Sequence, residues 1–234
     1  MSLVATSHIP IRGGTLAAIF SGQPDWQVQP APEMAPSGVA EVDSLTGGLP
    51  RGSLTEIAGP ASSGRTSLLL SLLAETTARG EVCALIDTAD AFEPVGAAAA
   101  GVRLEKLLWV RCAGNAERAL RATDLLIQGG GFGLVAMDLA DTVPETARRI
   151  SLTSWFRLRR AVEHTPTVLV VLGRQPNAKT CASLVMECGR ERAAWSGARG
   201  CSRLLRGIEV RIASRKPART AAVRFRAHLS AFPE

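Results

Sequence analysis

A phosphate-binding loop is the feature of this sequence that most constrains its fold. Residues 59–66 read GPASSGRT, which fits the P-loop pattern GxxxxGK[ST] except that Arg65 stands in place of lysine. In such a loop the glycines let backbone N–H groups point inward, and the following helix adds partial positive charge at its N-terminus. The predicted nucleotide-binding residues are Gly59, Pro60, Ala61, Ser62, Ser63, Gly64, Arg65, Thr66 and Ser67.

Arg65 changes the chemistry expected of this loop. A lysine there reaches the β- and γ-phosphates as a compact cation, whereas arginine is planar and forked and cannot occupy the same point. Thr66 keeps the hydroxyl that ligates Mg²⁺ in a P-loop. We therefore expect ATP and Mg²⁺ to bind and hydrolysis to be inefficient. A Gly/Ser turn that holds no ligand is the alternative that the motif alone leaves open.

The surrounding pattern predicts an α/β fold. Apolar, β-prone runs alternate with helical stretches, and such alternation is typical of a mostly parallel, twisted sheet with helices on both faces and ligands at its carboxyl edge. Asp138 ends the third of these runs, in the position of the acidic residue that holds the Mg²⁺ water shell. The predicted strands are 54–58, 82–87, 133–138 and 167–172, and the predicted helices are 66–79 and 145–163.

Residues 47–66, GGLPRGSLTEIAGPASSGRT, resemble the approach to the P-loop in the bacterial RecA recombinases. The resemblance continues through 83–94 and 101–108, and it extends over about residues 38–230. It implies a RecA-like P-loop NTPase core. We therefore expect a core at 38–234 with no C-terminal domain, preceded by an extension and Pro/Ser-rich linker at 1–37.

Several positions depart from that family's pattern. The family places a catalytic glutamate two residues after the aspartate that matches Asp87, and this chain has Ala89 there, so no catalytic residue is predicted. It stacks adenine on a tyrosine where this chain has Val95 and Gly96, and the chain contains no tyrosine. Its Asn-Gln pair that senses the γ-phosphate is replaced by Gly173-Arg174, with Gln175 one place later. Together these losses indicate a relaxed need for turnover.

Charge is distributed unevenly along the chain. Residues 1–147 hold nine basic and sixteen acidic side chains (−7), and residues 148–234 hold eighteen basic and five acidic ones (+13). This density is typical of phosphate contacts, so we predict binding of DNA, mainly single-stranded, with an acidic protein as the alternative. Trp155 and Trp195 are candidates to stack on bases, or else core residues. The predicted DNA-binding residues are Arg174, Lys179, Arg190, Arg192 and Arg199.

Assembly is suggested at two places. Arg226 and His228 lie where the family carries a Lys-x-Lys pair that reaches the neighbouring protomer's γ-phosphate, so we predict an interprotomer role, with a solvated edge strand as the alternative. The short apolar stretch 15–20 could dock on a partner or fold back on its own core. A homo-oligomer is therefore one expectation.

Cysteine spacing and hydropathy limit other functions. The five cysteines include no C-x-x-C pair, so neither a zinc site nor a disulfide framework is indicated. The N-terminus has no signal-peptide pattern, and the longest apolar runs are too short to span a bilayer. A cytoplasmic protein with no membrane contact is expected.

Two functions follow from different classes of protein. The first is a RecA-like accessory protein of DNA repair, in the SOS response or translesion synthesis, that binds nucleotide and DNA with weak or absent hydrolysis. In that case the chain is similar to the ImuA-type partners of error-prone polymerases. The second is an active DNA-dependent ATPase that forms recombination filaments on single-stranded DNA. A regulatory ATPase similar to KaiC matches the residues less well.

Overall fold

The computed structural model describes residues 31–197 and 203–228. Within them an eight-stranded sheet has the spatial order β10-β9-β8-β3-β7-β6-β4-β5. The six strands from β8 to β5 are parallel, β9 is antiparallel to β8, and β10 is antiparallel to β9. This confirms the predicted α/β fold, and it puts the carboxyl ends of β3, β4, β6 and β7 at one edge.

The bounds of the elements are as follows. The strands are β1 (Met34–Ala35), β2 (Leu49–Pro50), β3 (Ser53–Ala58), β4 (Cys83–Asp87), β5 (Leu107–Arg111), β6 (Leu134–Asp138), β7 (Val168–Gly173), β8 (Leu184–Ser196), β9 (Leu204–Lys216) and β10 (Ala218–His228). The helices are α1 (Ala40–Thr46), α2 (Arg65–Ala78), α3 (Pro94–Ala99), α4 (Ala116–Gly129), α5 (Pro144–Arg148) and α6 (Leu152–Val162). β1 and β2 form a separate two-stranded ribbon.

Two apolar layers hold the helices on opposite faces of the sheet. On one face, the leucines of α2 pack with alternate residues of the central strands, such as Leu85 and Val170. On the other face, the intervening residues, such as Ile86 and Val171, pack with α4 and α6. Strands buried on both faces are uniformly apolar, which is why these runs could be recognised without alternation.

The predicted helix over residues 145–163 is two helices. α5 starts at Pro144, whose fixed φ suits a first helical turn, and it ends at Arg148. α6 starts after Ser151, whose side chain accepts a hydrogen bond from the Ser154 N–H at 3.1 Å. A serine N-cap accepts a hydrogen bond from one of the unpaired N–H groups at the start of a helix, and this favours a new helix at that point. The leucine and arginine pattern of the sequence therefore continues across a break between two helices.

A long hairpin forms the basic end of the sheet. β8 and β9 have thirteen residues each, but β3 pairs only with Leu184–Glu187 of β8, so the hairpin continues beyond the core as a ribbon. β10 lies outside it, as the edge strand of the described sheet. The predicted DNA-binding residues Arg190 and Arg192 therefore lie on paired strand.

Candidate nucleotide site and arginine-rich hairpin

The phosphate loop connects β3 to α2 in a tight turn that requires glycine at two places. A Cβ on Gly59 would lie 2.5 Å from the carbonyl oxygen of Cys188, and a Cβ on Gly64 would lie 2.2 Å from a methyl group of Val210. Gly64 also has a φ of 90°, in the left-handed region that other residues rarely adopt. The loop is thus shaped by close contact with β8 and β9.

The backbone of this loop presents free donors at the start of α2. Among the hydrogen bonds of the described residues, none is donated by the backbone N–H groups of Gly64, Arg65, Thr66 or Ser67. The hydroxyl of Ser63, 1% exposed, is a further buried polar group without a partner in this part of the chain. Unpaired amides at the start of a fourteen-residue helix can form an anion-binding cradle, so the backbone here is compatible with the predicted phosphate site.

Arg65 folds back into the loop that it follows. Its side chain is buried, and Nη1 donates a hydrogen bond to the carbonyl oxygen of Gly59. Nη2 lies 3.5 Å from the carbonyl oxygen of Ala140 and 3.5 Å from Oδ1 of Asp141. Nε is buried and has no partner among the described residues. The guanidinium therefore links the loop after β3 to the loop after β6.

Asp138 is placed where a magnesium-binding carboxylate is expected. It ends β6 in register with Asp87 of β4, and its Oδ1 accepts a hydrogen bond from the Ala140 N–H at 2.8 Å. Burial, together with the nearby Asp141 carboxylate, raises the pKa of Asp138 to about 6, against the opposing effects of the Ala140 hydrogen bond and of Arg65. Without a cation beside it, Asp138 therefore keeps its proton at mildly acidic pH, where an ordinary aspartate is ionised.

Asp87 has a structural role instead. Its Oδ1 accepts from the Ala91 N–H at 3.1 Å, and its Oδ2 accepts from the Phe92 N–H at 2.9 Å and from the Trp109 indole N–H at 3.2 Å. Three donors engage this buried carboxylate and fix the turn after β4. These hydrogen bonds fix the backbone of the turn that contains Ala89, and they engage both oxygens of the Asp87 carboxylate.

The turn after β4 contains two carboxylates that the sequence analysis did not consider, Asp90 and Glu93. The Glu93 side chain caps α3 by accepting hydrogen bonds from the Val95 and Gly96 N–H groups. Asp90, next to the half-buried Ala89, pairs with Arg111 at 3.2 Å and lies 3.4 Å from the Ala113 N–H. Since Arg111 and a backbone amide engage its carboxylate, Asp90 does not stand in for the missing glutamate. Only its closeness in sequence to Ala89 could have suggested it.

A cleft of about 1320 Å³ runs from the end of the loop along α2. Thr66, Ser67 and Asp138 line one part of it, and α3 forms a wall in which Val95 is 63% exposed. No tyrosine is present to cover a base here, as predicted from the sequence. The end of β10 also lines the cleft, through Arg224, Arg226 and His228. Arg226 and His228 thus face the cleft of their own chain, while their role toward a neighbouring protomer stays a prediction.

These donors suit a nucleotide with its metal. The free amides and the unpaired Ser63 hydroxyl fit phosphate oxygens, and the exposed Thr66 hydroxyl and Asp138 are oxygen donors of the kind that Mg²⁺ prefers. Within the described ranges, no group of three or more His, Cys, Asp or Glu side chains is arranged to hold a metal alone. A phosphate would therefore have to complete the magnesium shell.

The turn after β7 is the counterpart of the family's sensor. Arg174 donates from Nε to the carbonyl oxygen of Ala140 at 3.2 Å, which is the same oxygen that Arg65 approaches. The side-chain amide of Gln175 contacts the guanidinium of Arg148. These contacts orient Arg174 and Gln175 toward the β6 side of the edge. Arg174 remains exposed, and Lys179 follows in an exposed position.

The described part of the hairpin carries two of the five predicted DNA-binding residues. Arg190 and Arg192 are exposed on β8, and Arg203 lies over the ring of Trp195 at 5.9 Å from its centroid. Trp195 is 49% exposed and could stack on a base, whereas Trp155 is completely buried, so the stacking role considered for it is wrong. Arg199 lies outside the described residues.

Not every arginine of the ribbon is available to a ligand. Glu191 pairs with Arg224 and lies 4.0 Å from Arg211, and Glu187 pairs with Arg215 at 2.8 Å. The positive charge that these pairs leave over is concentrated on Arg190, Arg192, Arg203 and Arg206, which have no ion pair within the described ranges.

The cysteines of the described chain are inert. Cys83, Cys112, Cys181 and Cys188 are buried and free, and burial raises the pKa of the Cys83 and Cys188 thiols to about 12. Thiols with such pKa values stay protonated and are poor nucleophiles. No described helix has the length and apolar content required to cross a membrane.

Fold and site together define a P-loop protein of the α/β class, with the loop after β3 and an aspartate at the end of the neighbouring β6. The RecA N-terminal domain model matches residues 22–150, which include the phosphate loop and Asp138. The chain belongs to the RecA family.

Two similar proteins illustrate this relation. The chain is 32% identical over 142 residues to protein RecA of Rhizobium leguminosarum bv. viciae, in a match that spans 55% of this chain and 40% of that protein. Its fold is similar to the crystal structure of the RadB recombinase, with a TM-score of 0.59 and 19% identity over 82% of this chain and 96% of that one. At that identity the second comparison supports the fold alone.

Proposed function

We propose that this chain is a RecA-family accessory protein of DNA repair that binds ATP with Mg²⁺ and single-stranded DNA but turns ATP over slowly or not at all. The observation that carries the proposal is the buried guanidinium of Arg65, held by Gly59 and Asp141 beside the free amides of residues 64–67. The loop keeps its means of binding phosphate and lacks the mobile cation that promotes transfer.

Nucleotide binding is supported by the cradle and the cleft. The N–H groups from Gly64 to Ser67 offer donors to phosphate, and Thr66 and Asp138 would hold the magnesium ion. Bound nucleotide would compete with the Gly59 carbonyl and Asp141 for the Arg65 guanidinium. Affinity should be modest because part of the binding energy is used to break those contacts.

Slow turnover is supported by the surroundings of Ala89. A methyl group cannot orient an attacking water, and the neighbouring Asp90 carboxylate is paired with Arg111. Asp87 is engaged by three donors. Glu93 caps the start of α3 by accepting from the Val95 and Gly96 N–H groups. Each carboxylate of the described turn after β4 is therefore engaged in contacts of its own, which supports weak general-base catalysis.

DNA binding is supported by the unpaired arginines of the hairpin. Arg190, Arg192, Arg203 and Arg206 lie on a ribbon that extends beyond the core, and Trp195 offers an exposed aromatic face beside them. Surfaces that bind single-stranded DNA combine positive charge, which contacts the phosphates, with aromatic side chains on which bases stack. Arg174 and Lys179 extend this surface toward the nucleotide edge.

The accessory role is supported by the combination of a nucleotide-binding cleft and an arginine-rich hairpin in a chain with Ala89 in place of the catalytic glutamate. A protein that binds DNA and nucleotide but does not cycle can mark a repair site for others, such as a translesion polymerase of the SOS response. An ImuA-like partner of that kind is the specific form we propose, and assembly with copies of itself through Arg226 and His228 is compatible with it.

The experiment is calorimetric binding of a non-hydrolysable ATP analogue, with and without single-stranded DNA, together with an ATPase assay on the same protein. We expect measurable analogue binding and no DNA-stimulated phosphate release above background. Turnover at rates ordinary for recombinases would contradict the accessory proposal and support the active DNA-dependent ATPase, which the intact amides and Asp138 favour. Absence of analogue binding would show that the loop is a relic.

A further inference from the structure

A buried carboxylate on β3, the strand that leads into the phosphate loop, has no role in the site described above. Glu56 is 2% exposed and lies three residues before Gly59. Its Oε1 accepts hydrogen bonds from the backbone N–H groups of Asn177 at 2.6 Å and Ala178 at 2.8 Å. Its Oε2 is buried without a partner in the described chain. Burial raises the pKa of Glu56, although the two amides oppose the shift.

The segment held by Glu56 is the turn 174–182, which connects β7 to β8. This turn is compact, because the Asn177 side-chain amide donates to the Gln175 carbonyl oxygen at 2.9 Å. A Cβ on Gly173 would lie 2.9 Å from that same carbonyl oxygen. The turn leads directly into the hairpin, and it carries Arg174 and Lys179.

A second charged residue holds the turn from the hairpin side. Lys216, at the end of β9, donates from Nζ to the carbonyl oxygens of Thr180, at 3.0 Å, and Ala182. Glu56 therefore takes two N–H groups of the turn, and Lys216 takes two of its carbonyl groups. The turn is held between β3, the strand that leads into the phosphate loop, and the last residue of β9.

We propose that Glu56 and Lys216 are positioning residues of the DNA-binding surface: they fix the turn 174–182 so that Arg174 and Lys179 stand in line with the hairpin arginines. This inference rests on the proposed DNA-binding function. Neither residue contacts DNA in this role. Two charge-assisted hydrogen bonds to one oxygen are strong enough to select one arrangement of an otherwise polar connecting segment.

Four variants test the clamp. Glu56→Ala removes the acceptor of both amide hydrogen bonds, whereas in Glu56→Gln a side-chain oxygen of the same reach can still accept from both amides. Lys216→Met removes the other half of the clamp. Glu105→Ala is the matched control, since it removes one exposed carboxylate that forms no side-chain hydrogen bond or ion pair among the described residues and changes the net charge by the same amount as Glu56→Ala.

Two measurements are made on each full-length variant. Amide hydrogen exchange at Asn177 and Ala178 reports whether the turn is held, and fluorescence titration with labelled oligothymidylate at several salt concentrations reports DNA binding. We expect Glu56→Ala to exchange at least about tenfold faster at both amides and to bind DNA about tenfold more weakly, with a shallower salt dependence as Arg174 and Lys179 leave their positions. Glu56→Gln should retain most of the protection and affinity, Lys216→Met should resemble Glu56→Ala in part, and Glu105→Ala should match the unaltered protein.

Several outcomes would overturn the assignment. Unchanged exchange in a folded Glu56→Ala variant would show that the carboxylate does not hold the turn. Faster exchange with unchanged DNA affinity and salt slope would show that the turn does not position DNA contacts. Failure of the unaltered protein to bind the oligonucleotide would contradict the proposed function instead, and this result is distinguishable because it involves no variant. If Glu56→Ala does not fold, the comparison of Glu56→Gln with Lys216→Met decides the same question.

Discussion

Arg65 and Asp141 form an ion pair, with Nη2 and Oδ1 3.5 Å apart, across the edge where nucleotide phosphates would sit. The arginine is buried and the aspartate is half-exposed, so the pair closes the phosphate loop against the loop that follows β6. A lysine would present one compact ammonium group here. The forked guanidinium instead reaches Gly59, Ala140 and Asp141 together. The backbone amides at the start of α2 can therefore stay free while the positive charge of Arg65 is engaged within the protein.

Asp141→Asn should increase the affinity for an ATP analogue. The change removes a negative charge near the phosphate position and frees one arm of Arg65, and because the pair is partly exposed the gain should be about two- to fivefold. Calorimetry with the analogue and Mg²⁺ measures it. Glu145→Gln, an exposed carboxylate on α5 with no ion pair among the described residues, is the control. Equal or weaker binding by Asp141→Asn would show that Arg65 is not restrained by this pair.

Arg65→Lys alone should not restore ATP hydrolysis, because Ala89 still offers no base to the attacking water. Arg65→Lys combined with Ala89→Glu should give measurable phosphate release in the presence of single-stranded DNA. A phosphate-release assay on both variants and on Ala89→Glu alone separates the two contributions. Activity of the single Arg65→Lys variant would mean that the turn after β4 matters less than its geometry suggests.

The stability of the protein should fall as pH rises through the titration of Asp138. The ordinary pKa of this group is 3.8 and its folded value is about 6, so between these values the folded state keeps a proton that the unfolded chain has lost. This one group should therefore lower the free energy of unfolding by about 3 kcal/mol across the window, while Glu81, whose pKa is lowered by Arg51, acts in the opposite direction. Urea unfolding of the metal-free protein near pH 4 and pH 7, compared with a variant that lacks the carboxyl, isolates the contribution of Asp138.

Asp138→Asn is the matching variant for that experiment. It cannot ionise, so the difference in unfolding free energy between it and the unaltered protein should grow with pH in favour of the variant. A difference that stays constant from pH 4 to pH 7 would show that burial does not shift this carboxyl. Saturating nucleotide with Mg²⁺ should reverse the preference if Asp138 helps to hold the metal.

Neutralising the unpaired arginines of the hairpin should weaken DNA binding and flatten its salt dependence. On single-stranded DNA, each arginine that no longer pairs with a phosphate reduces the magnitude of the slope of log K against log salt by about 0.7, so Arg190→Gln with Arg192→Gln should reduce it by up to about 1.4. Fluorescence anisotropy with a single-stranded oligonucleotide measures both quantities. Arg103→Gln, exposed and remote in sequence from the hairpin, controls for net charge. An unchanged slope would point to a protein partner for this surface.

Much of the fold could be predicted from the sequence because the central strands are buried on both faces. Apolar runs such as 133–138 and 167–172 have few alternative structures once helices flank them. The glycines at positions 59 and 64 place the phosphate loop directly after the predicted strand 54–58. The break between α5 and α6 could not be predicted from periodicity, since the helical pattern continues through Ser151 while the hydrogen bond to Ser154 stops it.

The candidate site was harder to predict for a physical reason. Motif spacing identified Arg65, Thr66 and Asp138, but the direction of the Arg65 side chain depends on Asp141 and on the Ala140 carbonyl, which come from another strand end. The clamp at Glu56 was missed because its partners are backbone amides 121 and 122 residues away, and these leave no side-chain signal. Trp155 and Trp195 look alike in sequence and differ only in burial.

Trp195 should contribute to DNA binding through stacking rather than charge. It is 49% exposed, lies under the Arg203 guanidinium and stands on the part of the ribbon beyond the core. Trp195→Ala should therefore weaken binding of single-stranded oligonucleotides by about five- to hundredfold, while Trp195→Phe should retain most of the affinity because an aromatic face remains. The salt slope should be the same in both variants, because an indole releases no counterions. Fluorescence anisotropy at several salt concentrations measures both effects, and Phe156→Ala, at a similarly exposed aromatic residue on α6, is the control. If Trp195→Ala and Trp195→Phe reduce affinity equally, the indole supports the ribbon rather than a base.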